Sequence, residues 1–438
     1  MAAVTVRNRN LNKVDKNGKL KKPNWEYRFE AAPIDGKRNQ ISKSGFRTKA
    51  EALEAGNKAL AEYNNAGQHF KLTEISVADY LDFWFDNYAK MELKYNTQLA
   101  YLNIIENHLK PNFGHYKLKS LTPTQLVQYA NQLKINGFSK SHLVGILSTF
   151  SVALDYAVEP LKYIKENPMR YVKYPKVERK PRERIILESE DFQKIIERFP
   201  AGNRFHIPLL LGWNCGLRIS EAFGLTWDDI DFQEKTITIN KQTVKRNYGV
   251  EVRQVLKQKG KKEEKSAWYF TEPKYGSERV IKMPDTLIKA LKEEKKRQLM
   301  YELEYGQYYT IHVGKVEKDE KGNEITRIIP VIKAVEPQLP RLKMVCVSEN
   351  GEMTSSDSFK YCSRVIRNQM HIAFDYHSLR HTHATLLIEN GVSPKAVQDR
   401  LGHKKIETTL QTYVHNTESM EQSAVDVFEK VVNGNLPT

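Results

Sequence analysis

The stretch "YHSLRHTHATLL", residues 376–387, sets His377, His381 and His383 beside Arg380. His377 and His381 are four apart and share a helix face, the spacing that zinc-binding histidines use. Yet "HSLRH" has no glutamate beside its first histidine, and Arg380 would put a permanent cation among the ligands, so metal binding is disfavoured. A guanidinium fork suits another ligand, the paired oxygens of a phosphate. His381 and His383 then read as capping and packing residues of the helix. Upstream, "CGLRISEAFGLTWDDIDF" has Gly216 just before Arg218. The glycine suggests a sharp turn that aims Arg218 from the start of a short helix carrying Ile219, Ala222, Phe223 and Leu225, where backbone N–H groups favour anions. Downstream, "LGHKKIETTLQTYVH" sets His403 after a Leu-Gly pair and Tyr413 ten residues later. Between the two regions, Lys274 falls in the turn of a β-hairpin, "FTEPKYGSERVIKMP". One tyrosine among 22, or one cation among 69 Lys+Arg, says little by itself. The ordered set says more.

Positioning such a set needs a substantial scaffold. At 438 residues the chain is too long for one core, so two or three domains are expected. Its net charge of +16 points to a polyanionic partner, DNA or RNA ahead of a membrane. No continuous apolar run approaches the roughly 18 residues of a membrane span, and "MAAVTVRNRN" has no apolar leader segment. Cys215, Cys346 and Cys362 form no CxxC pair, which fits a reducing cytoplasm.

In residues 1–71, Trp25, Tyr27 and Phe29 share one strand face, and Ala52, Ala55, Ala59, Leu60 and Tyr63 recur at helical spacing. This predicts a small sheet crossed by one helix, with basic loops that suit DNA contact. Residues 72–168 turn helical. Val77, Tyr80, Leu81, Trp84, Phe85 and Tyr88 make one apolar stripe, and a second helix is predicted over residues 97–109, stopping at Pro111. "TPTQ" supplies Thr122 as N-cap with Pro123 and Gln125 in their favoured places, and a fourth helix is predicted over 139–158. Residues 169–184 read as an extended basic linker able to track a phosphate backbone. Residues 185–438 hold all the candidate site residues. The predicted fold class is α+β and multidomain: a small N-terminal sheet with a helix, an all-α bundle, and a mainly α domain with a small sheet.

The ordered set "GLRxSE", a lysine in a hairpin turn, "HxLRH", "LGH" and a tyrosine resembles the tyrosine recombinase, or phage integrase, family over about residues 180–420. The chain as a whole is similar to integrases of Gram-positive conjugative transposons and temperate phages. That resemblance implies a three-stranded arm-site-binding domain at 1–71, a helical SAM-like core-binding domain at 72–168, and a catalytic domain with a C-terminal tail helix at 185–438. It implies site-specific recombination without metal, ATP or other cofactor, through a 3′-phosphotyrosine made by Tyr413. Arg218 and Arg380 would clamp the non-bridging oxygens, Lys274 would protonate the leaving 5′-oxygen, His377 would act as general base or phosphate donor, and His403 would bond the phosphate. Glu221 would orient Arg218.

The implied partners are double-stranded DNA at core and arm sites, and further copies of the chain in a tetramer that passes through a Holliday junction. The resemblance also implies an excision factor or DNA-bending protein as a further partner, and the cytoplasm of a bacterial host as the setting. A departure from the family is the long segment 306–343, read as a surface hairpin insertion. The tail residues Met420, Ala424, Val427, Phe428 and Val431 share a helical face that would dock on a neighbouring protomer or on the same chain. A type IB topoisomerase shares the chemistry but needs neither the N-terminal domain nor the tail. A pure DNA-binding regulator needs no nucleophile.

Overall fold

The computed structural model describes residues 4–13, 19, 22–34, 37–66, 75–177, 184–248, 252, 253, 255, 266–319, 321–335, 338–405 and 429. At the N-terminus, β1 (Thr5–Asn8), β2 (Trp25–Ile34) and β3 (Lys37–Phe46) form an antiparallel sheet in that order, and α1 (Lys49–Ala66) crosses it. Tyr27 and Phe29 point from β2 into a core with Ala59, as their alternation requires, with Ala55 and Leu60 packed beside them. Trp25 is only half-buried.

The bundle starts with α2 (Val77–Trp84), which runs on through a π-helical turn (Phe85–Ala89) to Glu92. Val77, Tyr80, Leu81, Trp84 and Phe85 have no exposed surface, so the predicted stripe is the core. Each such side chain contributes about 1.5–3 kcal/mol by leaving water. The second helix, α3 (Tyr95–Ile104), does not stop before Pro111. It passes through a π-helical turn (Ile105–Leu109) into Lys110–Phe113. There Lys110 N donates five residues back to Ile105 O, so the ladder has already slipped where the proline lacks an N–H. α4 (Pro123–Ile135) starts at Thr122 with both bonds of the capping box to Gln125, and Ser139 caps α5 (Lys140–Val158). α5 is long and apolar enough by composition to cross a membrane, but its Leu143, Ile146, Leu147 and Phe150 lie in the bundle core.

The third part is centred on α7 (His206–Cys215), packed among α6 (Ser189–Arg198), α8 (Ile219–Ala222), α9 (Asp285–Tyr305), α10 (Ser356–Asn368) and α11 (Tyr376–Glu389), with α12 (Pro394–Leu401) against α11. Among the described residues it holds two antiparallel sheets. β4 (Ile230–Asp231), β5 (Thr236–Ile239) and β8 (Arg279–Lys282) form the first, in that order. β6 (Gln242–Asn247), β7 (Ser266–Thr271), β9 (Thr310–Lys318), β10 (Glu324–Ile332) and β11 (Arg341–Leu342) form the second, in the order β11-β9-β10-β7-β6.

The hairpin predicted around Lys274 is therefore not one. β7 pairs with β6 and β10, while β8 pairs with β5, so Lys274 sits where the chain crosses between sheets. Pro273 lacks a ladder donor, and Tyr275 at φ 66° turns the chain away from β7. Segment 306–343 supplies β9, β10 and β11, so it extends the larger sheet rather than standing apart as a surface hairpin. This part also meets the bundle. Asn247 N donates to Tyr95 Oη at 3.0 Å, Arg253 spans Asp82 and Asp86, and Val252 is buried in the bundle core.

Candidate active site

Two helix ends meet to make the site. α7 ends at Cys215, where Gly216 takes the left-handed conformation (φ 61°). A Cβ on Gly216 would lie 2.6 Å from Leu401 Cδ2 and 2.9 Å from His383 Cδ2, so glycine is what lets this end of α7 touch α12 and α11. α12 ends in the same way at Gly402 (φ 67°). The last carbonyls of a helix have no partner in their own helix and carry the negative end of its dipole. Here arginines take them. Arg380 Nη1 donates to Gly216 O at 2.7 Å and its Nη2 to Leu401 O at 2.6 Å. Arg218 Nη2 donates to Gly402 O at 3.1 Å, and Arg400 Nη2 to Asn214 O at 3.1 Å. Arg380 is 2% exposed, and its permanently charged fork is held in place by these acceptors.

Arg218 also caps α8. Its backbone N–H donates to Glu221 Oε2 at 3.0 Å and its Nη1 to Glu221 Oε1 at 2.6 Å. Arg279, at the start of β8, approaches the same carboxylate from the other side, with Nη2 to Oε2 at 2.8 Å. Burial would raise the carboxyl's pKa, but the hydrogen bonds and charges of Arg279 and Arg218 hold it at about 2. Glu221 is thus ionised, with no exposed surface.

The histidines separate by role. His377 lies one turn before Arg380 at the open side of α11, its ring edge-to-face on His381 at 4.5 Å. His403 follows Gly402, held by a bond from its N–H to Gln398 O at 3.1 Å. Loss of water around the ring, then the Arg380 charge, lowers the pKa of each, His403 to about 3. The lowered values favour the neutral ring of each, which can accept a proton at one nitrogen and donate from the other. His383 is a structural residue. Its Nδ1 faces Trp213 O at 2.8 Å and its Nε2 accepts from Arg400 Nε at 3.0 Å, and burial then the Arg400 charge press it to about 4. His381, likewise lowered to about 4 by burial and then by His377, packs on His377. Among the described residues no three His, Cys, Asp or Glu side chains gather as a metal would need.

Arg218, Glu221, His377, Arg380 and His403 thus come together. Lys274 does not join them by hydrogen bond: it is exposed on the turn between β7 and β8, with Nζ 5.1 Å from the Tyr275 ring centre. Three residues on, Ser277 Oγ accepts from Arg218 Nη1 at 3.1 Å, which anchors that turn beside the site. Tyr413 and the tail residues Met420, Ala424, Val427, Phe428 and Val431 lie outside the described residues. Sequence reasoning missed Arg279, Ser277 and Arg400. No local pattern marked Arg279, whose neighbours Glu278 and Val280 are exposed and whose partners Glu221 and Arg400 are 58 and 121 positions away.

Comparison with known proteins agrees with this geometry. Residues 186–420 match the phage integrase family, residues 76–134 the phage integrase N-terminal SAM-like domain, and residues 10–63 an arm DNA-binding domain. A tyrosine recombinase XerC-like protein of Caldanaerobacter subterraneus is 26% identical over 387 residues, covering 87% of this chain and 89% of that one. The prophage ps2 probable integrase of Lactococcus lactis is 25% identical over 432 residues, covering 93% and 98%. In fold, the chain is similar to the Tn1549 transposon integrase solved with a circular intermediate DNA, with a TM-score of 0.58, 19% identity and coverage of 81% and 99%. With a clamp of arginines at two helix ends and a family match across more than half its length, this chain belongs to the phage integrase family.

Proposed function

We propose that this chain is a site-specific recombinase that integrates and excises a mobile element, phage or conjugative transposon, by cutting and rejoining DNA at Tyr413. The observation that carries this reading is the pair of guanidiniums, Arg218 and Arg380, fixed by helix-end carbonyls of α7 and α12 and flanked by neutral His377 and His403. Fixed cations aimed at one phosphate stabilise charge that develops on its non-bridging oxygens, with no reorganisation at the moment of reaction. Tyr413 follows His403 by ten residues, and a tether of that length, at most about 35 Å, is long enough for its hydroxyl to reach the clamp.

In the cleavage step the Tyr413 oxygen bonds to phosphorus and the P–O5′ bond breaks. The phenol proton passes to His377, and Lys274 gives a proton to the leaving 5′-oxygen. The phosphodiester energy stays in the phosphotyrosine, so a 5′-hydroxyl reverses the step on a new strand. Joining two duplexes breaks four strands, and each chain brings one Tyr413, which supports a tetramer on DNA that passes through a Holliday junction. The helical part, residues 72–168, would grip the core site opposite the catalytic part, residues 185–438. The predicted linker 169–184 is not extended at its start, where Met169 and Val172 are buried in the bundle core; the rest of it would cross the DNA backbone between the two parts, and residues 1–71 would hold a separate arm site.

The deciding experiment replaces Tyr413 with Phe and uses a nicked suicide duplex in excess EDTA. The wild-type protein is expected to form a covalent protein–DNA adduct. Tyr413→Phe is expected to bind the duplex equally well and form none; an adduct from the variant would refute the assignment.

A further inference from the structure

We infer that Arg279 is a positioning residue for strand cleavage, one that engages the Glu221 carboxylate so that Arg218 keeps its positive charge for the phosphate. The inference rests on the recombinase reading above. Arg279 does not face the open side of the site, since its side chain is 6% exposed. Its Nε donates to Arg400 O at 2.9 Å, its Nη1 to Ser277 O at 3.1 Å and Glu221 Oε1 at 3.3 Å, and its Nη2 to Glu221 Oε2 at 2.8 Å. One side chain therefore joins three segments: the turn after Lys274, the end of α12 before His403, and the carboxylate that orients Arg218.

The charges make the role specific. Glu221 has no exposed surface and lies between two guanidiniums. A carboxylate held by Arg218 alone would form a neutral pair, whose field at a nearby phosphate fades as a dipole's does. With Arg279 on its far side, the same carboxylate is shared, and the three groups keep one net positive charge beside Arg380. Losing the Arg279 charge then weakens the hold on the non-bridging oxygens even where Arg218 stays in place. Geometry alone predicts something different, namely slow cleavage whatever the charge on the phosphate.

The test uses the full chain and a nicked duplex carrying the joint sequenced from the excised circle. The scissile position holds either an ordinary phosphate or a methylphosphonate, in which an uncharged methyl replaces one non-bridging oxygen. Adduct formation is timed with the duplex saturated by protein. Arg279→Met is expected to cleave the phosphate about a hundredfold more slowly than wild type, with unchanged duplex affinity, the size of effect that one fixed electrostatic group has on such a step. On the methylphosphonate its deficit relative to wild type is expected to fall below about tenfold, because the charge that Arg218 must meet is gone. Arg279→Lys keeps the charge but not the fork, and is expected to stay within about tenfold of wild type on both duplexes. Where Arg279→Met melts below the assay temperature, Arg279→Gln takes its place in the same comparison. An equal deficit on both duplexes, Arg279→Lys as slow as Arg279→Met, or wild-type cleavage by Arg279→Met would each overturn the inference. A wild-type protein that makes no adduct on the phosphate would instead sink the recombinase reading itself.

Discussion

Glu221→Gln is the substitution with the clearest thermodynamic consequence. The carboxylate is fully buried, accepts hydrogen bonds from Arg218 and Arg279, and titrates near 2 instead of its ordinary 4.5. At 1.36 kcal/mol per unit that difference corresponds to about 3 kcal/mol of folding stability at pH 7. Removing one partner of a buried ion pair costs roughly 3–5 kcal/mol on general grounds, which agrees. Glutamine keeps the shape but turns an amide N–H₂ toward one guanidinium, so the loss is one of charge rather than of packing. In calorimetry of the full chain, the transition of residues 185–438 should fall by roughly 6–12 °C, at about 2–4 °C per kcal/mol for a part of this size.

The pH dependence carries a sign. A carboxyl with a lowered folded pKa contributes fully above its ordinary value and loses that contribution as pH falls through the folded one. The gap between wild type and Glu221→Gln should therefore be largest from pH 5.5 to 7 and shrink to about 2 kcal/mol at pH 3.5. A gap under about 1 kcal/mol at pH 7, or one that stays constant down to pH 3.5, would refute the shared-carboxylate account.

Three further outcomes follow from the geometry. Lys274→Ala should slow adduct formation, and a 5′-bridging phosphorothioate, whose sulfur leaves without a proton, should restore the rate; a variant equally slow on both would deny Lys274 the acid role. Arg253→Ala removes bonds to Asp82 and Asp86, at 2.9 Å to Asp82 O and 3.1 Å to Asp86 Oδ1, and should weaken docking of the bundle by about 1.5–3 kcal/mol. Faster tryptic cleavage within 169–184 would report that loosening, and unchanged cleavage would count against it. Deleting residues 1–71 should abolish binding to a second, arm-type duplex and spare binding to the core duplex in gel-shift titrations; arm binding that survives would remove the proposed role.

What the amino-acid sequence by itself determined are the features that act over a few residues. The stripe from Val77 to Phe85 is a helical periodicity, the Thr122–Gln125 capping box pairs residues three apart, and the glycines before Arg218 and His403 have backbone needs of their own. The order of Arg218, Lys274, His377, Arg380, His403 and Tyr413 stood out only as a set that resembles the family's motifs, because one cation among 69 Lys+Arg or one tyrosine among 22 carries no such signal. Where the local rule lost, a neighbouring distortion had changed its terms: Pro111 stays inside a helix because a π-helical turn had already shifted the ladder.

Tertiary structure alone decided the rest. β7 and β8, adjacent in sequence, joined different sheets, β7 between β6 and β10 and β8 beside β5, pairings between segments that no local pattern specifies. It also chose the partners of His383, a packing residue by sequence, setting it between Trp213 O and the Arg400 guanidinium. Above all it placed Arg279 on Glu221. Helix-end carbonyls and a buried carboxylate demand cations, but which of 69 Lys+Arg supplies them depends on contacts between segments up to 186 positions apart, and no local pattern encodes those.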